Sequence, residues 1–294
     1  MLTTEKLLKL RVTCYLSTMS TSALATKETG TATLPSKSQI EYLISQTPPS
    51  LLRPLAFFVS WNGVITLAYS GFPPALVELK QAINDTVDGL PAEYSGSKWP
   101  KTSLGALHDK ARLTPEQLNR LNAICKEEST KLSQEADEQA VLVDQLNVVF
   151  YECRCLERRL LEHVVPLQAA AALDEAQPEA SELERVRGVV SEADSPDYWF
   201  LASKDGSRES HYRSSCLGVT LVHDLAAFRG DDQQQQRQQQ QQRQLPNGAA
   251  GAKYGSDLPG LIRAFRDRVD SELPGLYRWF RDSSLHSTVR SLMG

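Results

Sequence analysis

Nowhere does the sequence offer an apolar run near the roughly 20 residues that a membrane-spanning helix requires, which predicts a soluble chain with no membrane partner. Positive charge is not in excess either. Across 294 residues, 32 lysines and arginines face 36 acids, for a formal net charge of −4. Such a balance excludes a general nucleic-acid coat or a polybasic membrane anchor and leaves room only for a local basic pocket. Cysteine is scarce. Cys14, Cys125, Cys153, Cys155 and Cys216 are odd in number and unevenly spaced, too few for a disulfide scaffold and suited to a reducing compartment. Cys153-Arg154-Cys155 has a metal-like spacing, yet no second Cys/His pair stands at a zinc-like interval, so the two thiols read as small strand hydrophobes.

Acids are nearly missing from the first 38 residues, which are rich in Ser and Thr and carry only Glu5 and Glu28, while Lys6, Lys9 and Arg11 alternate with leucines. Residues 1–50 therefore read as a disordered extension or, over residues 1–36, as an organellar transit peptide, with Met19 as an alternative start. The expected location is cytoplasmic, or plastid or mitochondrial if that segment is a transit peptide. Residues 229–257 form a glutamine tract followed by Gly, Ala and Asn, without the apolar content to fold, and read as a tolerated surface loop. Residues 169–197 are acidic and helix-prone, a linker or solvated helix.

Ordered blocks fill the rest. "GVITLAYSGF" (63–72) reads as a strand, followed by Leu76, Leu79, Ile83 and Val87 at helical spacing. "SGSKWPKTSLGAL" (95–107) reads as an extended segment ending in a strand. A helix is expected from Thr114, with Thr114 as N-cap, Pro115 in the first turn and Gln117 completing a capping box. Residues 145–157 read as a strand, and "RRLLEHVVPL" as its hairpin partner or a further helix. "DYWFLAS" (197–203) and "LGVTLVHDL" (217–225) read as strands, Leu261, Ile262, Phe265 and Val269 mark a helical face, and "SLHSTVRSL" reads as a closing strand.

These blocks repeat. "GVITL" (63–67) is similar to "GVTL" (218–221), and each is followed by an amphipathic helix and a Leu-Pro pair, Leu90-Pro91 and Leu273-Pro274. Lys101 lies 25 residues after Leu76, and His286 lies 25 after Leu261, so "KTSL" (101–104) falls where "HSTV" (286–289) falls. In a strand, residues i and i+2 share a face. His286 and Thr288 are therefore expected to point together into a cleft, with Arg290 on the same face as a cation for a phosphate oxygen, and Lys101 and Ser103 paired in the same way.

With this duplicated context, the chain resembles the 2H phosphoesterases, the fold of cyclic phosphodiesterases and the RNA-ligase-like proteins, in which each of two lobes carries a His-x-Thr strand. The resemblance covers roughly residues 57–157 and 198–294. It implies an α+β fold of two pseudo-symmetric β-α-β lobes around a central cleft, the first over 51–168 and the second over 198–294, joined by the acidic linker 169–197. It implies a hydrolase for a cyclic phosphate or phosphodiester of a nucleotide or RNA end, with no cofactor and no metal. The alternative is a catalytically inactive relative that binds RNA ends or a protein partner through the same cleft. His286 would be an acid/base, and Thr288 and Ser103 would hold the phosphate. Lys101 departs from the motif, standing where the other histidine is expected. A lysine with its ordinary pKa near ~10.4 is protonated at neutral pH, so it supplies charge or a proton but is no base unless burial or a nearby cation lowers that pKa. The second departure is that the chain stops soon after "HSTV", where family members continue; a permuted order, an incomplete gene model or a degenerate lobe would each account for it. His108 is a candidate replacement base, His223 a half-buried structural residue, and Trp99 and Trp279 are core anchors or platforms for a base.

Overall fold

A computed structural model describes residues 36–91, 93, 98–134, 139–204, 206–225 and 258–293. The expectations for residues 1–35 and for the glutamine-rich stretch fall outside them, but the expected disordered extension 1–50 is corrected over its last part, where Ser36–Gln46 is a helix that buries Ile40 and Ile44 in the core. The fold is mixed α+β with antiparallel sheets. In chain order the strands are β1 (Ser50–Leu52), β2 (Pro54–Val59), β3 (Ile65–Tyr69), β4 (Lys101–Leu107), β5 (Val141–Val143), β6 (Gln145–Tyr151), β7 (Arg159–Pro166), β8 (Gly218–Asp224), β9 (Tyr277–Trp279) and β10 (His286–Met293). The helices are α1 (Ser36–Gln46), α2 (Pro74–Thr86), α3 (Pro115–Gln134), α4 (Ala180–Ser191), α5 (Tyr198–Ala202), α6 (Arg208–Arg213) and α7 (Leu258–Glu272).

Local chemistry sets these elements. At the start of α3 the Gln117 amide N–H donates to Thr114 Oγ1 at 3.2 Å, and the Thr114 N–H donates to Gln117 Oε1 at 2.9 Å, closing the capping box. All five residues of β3 are buried, as a strand covered on both faces requires. The run 145–166 is a hairpin, β6 pairing with β7 from Gln145↔Pro166 to Tyr151↔Arg159. One expected strand is a helix: Tyr198–Ala202 forms α5. Its apolar residues do not alternate. Tyr198 and Ala202, four apart, face inward, while Phe200 and Leu201 between them are exposed, which is a helical period.

The first four-stranded sheet has the order β2-β3-β4-β9 and the second β10-β8-β6-β7, with β1 and β5 forming a separate pair. Each large sheet contains one strand–helix–strand unit whose strands pair antiparallel, β3-α2-β4 in the first and β8-α7-β10 in the second. The sheets do not respect the lobe boundaries expected from the sequence. β6 and β7 belong to the second sheet, and β9, just before the closing strand, pairs with β4 of the first. Close approach makes that last pairing: a Cβ on Gly105 would lie 2.6 Å from the Trp279 ring.

The helices cross over as well. α7, lying in the chain between two strands of the second sheet, packs on the first, where Phe265 stacks on Phe57 of β2 with centroids 4.3 Å apart and planes 6° from parallel. Arg266 of α7 donates to the Leu104 and Phe280 carbonyls at 3.3 and 3.1 Å. α2, between two strands of the first sheet, lies against β10 of the second. The result is a single core containing Phe57, Leu67, Leu221 and Val289 from both sheets. The acidic segment is more than a linker: α4 buries Val186 against Phe58 and Ala68 on the other face of the first sheet.

Arg290 departs from its expected place. A bulge between Thr288 and Arg290 breaks the two-residue alternation of β10, so Arg290 does not follow His286 and Thr288. Its guanidinium is 1% exposed and instead donates to Asn84 of α2 and, at 3.0 Å, to the Pro91 carbonyl, with Glu93 at 3.4 Å. It is a clamp between β10 and α2. Removing one partner of a buried ion pair costs about 3–5 kcal/mol. Arg290→Met is therefore expected to lower stability to chemical denaturation by about that amount, and Thr114→Ala, which deletes the α3 cap, by about 1 kcal/mol.

Candidate functional site

Alternation along β4 and β10 brings two short motifs to one place. Thr102 and Leu104 of β4, and Ser287 and Val289 of β10, turn into the core. Lys101, Ser103, His286 and Thr288 turn the other way and line a common cavity of about 280 Å³. The cavity is completed by Lys98, Trp99, Arg154, Cys155, Tyr212, Phe280 and Ser284.

His286 is held in one tautomer. Its Nδ1 lies 2.7 Å from the Ser284 carbonyl, which can only accept, so the proton sits on Nδ1 and Nε2 keeps its lone pair. Burial pushes the His286 pKa down. The Ser284 carbonyl and Asp224, its cross-strand partner, oppose that shift, and Arg159 adds to it. Asp224 is itself bound by Arg159 through two hydrogen bonds of 2.9 and 2.6 Å and by Asn147, so its charge is largely spent. The imidazole is thus neutral near pH 7, a base by protonation state.

Lys101 differs in every respect. It lies at the open mouth of the cavity, with Nζ 4.8 Å from the Trp99 ring centroid. The surrounding walls desolvate the ammonium and lower its pKa, and the Lys98 charge lowers it further. Water reaching the mouth limits the desolvation, and the Trp99 face favours the cation. Lys101 remains a proton donor at neutral pH, with a weaker hold on its proton than a free lysine.

Sequence reasoning missed one wall of the cavity. The β6–β7 hairpin tip folds back over its own sheet, where Leu156, with φ of 57°, packs against Val149 and Val222. That fold brings Arg154 and Cys155 to the cavity. The two thiols of Cys153 and Cys155 lie 3.6 Å apart and burial pushes the Cys155 thiol up to about 12, so both pack as expected, but in the hairpin tip and not in the strand read over 145–157, which ends at Tyr151. Tyr212, from α6, lines the cavity with Ser103 and is kept protonated by burial. Neither the hairpin tip nor α6 belongs to the repeated unit, so no spacing announced them.

The remaining candidates lie elsewhere. His108 is outside the cavity, 2.8 Å from Arg278 and 3.5 Å from Glu209, and does not replace the missing histidine. His223 is fully buried on the opposite face of β8, where its Nδ1 donates to the Gln145 carbonyl at 3.2 Å, a structural role. Trp279 is an anchor, stacked on Tyr277 and donating to Asp270 at 2.8 Å. Trp99 leans on Phe58 at 6.0 Å as an anchor and also lines the cavity wall. Among the described residues no group of three or more metal-ligating side chains converges, and no helix is long and apolar enough to cross a membrane.

His286 and His223 both have lowered pKa values in the folded chain, through burial. Below the ordinary histidine value near ~6.5 the unfolded chain takes up protons that the folded chain refuses. Stability is therefore expected to fall as pH drops through that value, by less in His223→Gln, as read from denaturation midpoints across pH 5–8. In the same range the His286 ring resonances should titrate below ~6.5 in NMR spectra, and lower still in Asp224→Asn.

No protein-family model, curated protein or solved structure matches this chain.

Proposed function

We propose that the protein is a 2H-type phosphoesterase that opens a cyclic phosphate, or cleaves a phosphodiester, at a nucleotide or RNA end. The observation carrying this reading is the convergence of Lys101, Ser103, His286 and Thr288 on one cavity from two strand–helix–strand units. The units are read as two related lobes with the cavity between them.

In-line hydrolysis needs a base on one side of the phosphorus and an acid on the other. Nε2 of His286 takes a proton from the attacking water as the new P–O bond forms. The ring-opening P–O bond breaks, and the departing ribose oxygen takes a proton from the Lys101 ammonium. The hydroxyls of Thr288 and Ser103 donate to the non-bridging oxygens, where charge accumulates. The two ends of the reaction are thus unequal: the base is fixed in the neutral state and the acid in the charged one. A lysine at this position suits an acid, a role that needs no free amine.

The test is incubation with adenosine 2′,3′-cyclic phosphate. His286→Ala is expected to lower kcat/KM by about 10²–10⁴-fold, the usual size of a lost general base. Equal activity in the variant would remove the assignment. The pH profile of kcat/KM should rise with a midpoint below ~6.5, from His286, and fall only in the alkaline range below ~10.4, from Lys101. In Lys101→His the alkaline limb should move toward neutrality; an unmoved limb would rule out Lys101 as the acid. Binding of the cyclic nucleotide without turnover would leave the inactive relative as the better reading.

A further inference from the structure

We infer that the ligand of this cavity carries two phosphate groups on one nucleotide, an inference that rests on the phosphate reading above. Charge is the observation behind it. Lys98, Lys101 and Arg154 line the cavity, and the lining contains no carboxylate. All three are exposed at the mouth of the cavity, whereas more buried cations of the fold are paired: Arg159 with Asp224, Arg213 with Glu157, Arg266 with Asp282. Among the described residues none of the three cavity cations forms an ion pair with a carboxylate. Arg154 makes only a long hydrogen bond, 3.4 Å, to the His211 carbonyl. Desolvation lowers the Lys101 pKa, and the neighbouring Lys98 charge lowers it further. The cavity therefore holds three positive charges at a cost in repulsion, in a chain of net charge −4.

A single cyclic phosphodiester carries one negative charge and leaves two cations unanswered. A phosphomonoester adds about −1.5 to −2 near pH 7, which brings the total close to balance. His286, neutral in its fixed tautomer, adds nothing to the count. Trp99, Tyr212 and Phe280 form apolar walls beside these charges, while water at the mouth leaves the attractions open to screening by salt. Size narrows the choice further. At about 280 Å³ the cavity is at the small end of ligand sites, so both phosphates are expected on one nucleotide and not on two separate ligands. The first phosphate lies against His286, Thr288, Ser103 and Lys101, and Lys98 and Arg154 bind the second.

Binding calorimetry on the full chain separates this from the catalytic reading, because it needs no turnover. Adenosine 2′,5′-bisphosphate is expected to bind at least about tenfold more tightly than adenosine 2′-monophosphate at low salt, with a preference that shrinks as salt rises. In the double variant Lys98→Ala/Arg154→Ala the preference should collapse to within about twofold, with the monophosphate losing less affinity than the bisphosphate. Circular dichroism of that variant, whose two substitutions lie at exposed positions, verifies its fold. Equal affinities for the two nucleotides, or a preference that survives in the folded double variant, would overturn the two-phosphate inference while leaving the phosphate site. Failure of both nucleotides to bind would overturn the site and the inference together.

Discussion

The stack of Phe57 on Phe265 is the contact on which the geometry of the cavity depends. It ties a helix from the second strand–helix–strand unit to a strand of the first sheet. Arg290 makes the reciprocal tie, from a strand of the second sheet to the helix of the first unit. Each sheet is thus closed by a helix that the chain supplies from the other unit. Two sheets packed only face to face would be free to slide, and the separation of β4 from β10 would drift. Here a shared core and a buried ion pair hold both motif strands in one frame, as a preorganised site requires.

Much of this was legible in the sequence where a single physical rule applied. The capping box at Thr114 involves only neighbouring residues, and it forms as expected. The shared face of His286 and Thr288, and of Lys101 and Ser103, follows from strand alternation alone. Alternation failed at Arg290 because a bulge inserts one residue, and a bulge leaves no mark in the residue types on either side of it. The helix at 198–202 was misread because five apolar residues in a row fit either period, and only packing against the 3₁₀ turn at Trp61–Gly63 and against α3 decides. The assignment of β6, β7 and β9 to sheets was beyond reach for a further reason. Order along the chain does not determine which edge of a sheet a strand joins.

The site combines a legible half with a hidden one. The repeat exposes the four residues nearest the proposed chemistry, and nothing exposes the wall contributed by the β6–β7 hairpin tip and α6. That wall holds Arg154 and Tyr212, which act through position and charge. On the proposed function, selectivity among ligands would be carried by segments with no counterpart in the repeat, and the bond-breaking step by segments that have one.

The crossing of the helices has a consequence for how the chain folds. Phe57 and Phe265 lie near opposite ends of the described sequence, and β9 must return to β4 from equally far away. The first sheet is partly covered by α3 and α4, which precede the second unit, but the face against Phe265 is completed only by α7. High contact order of this kind slows the search for the native state. It also means that β4 and β10 reach their final separation only once pairings distant in sequence have formed.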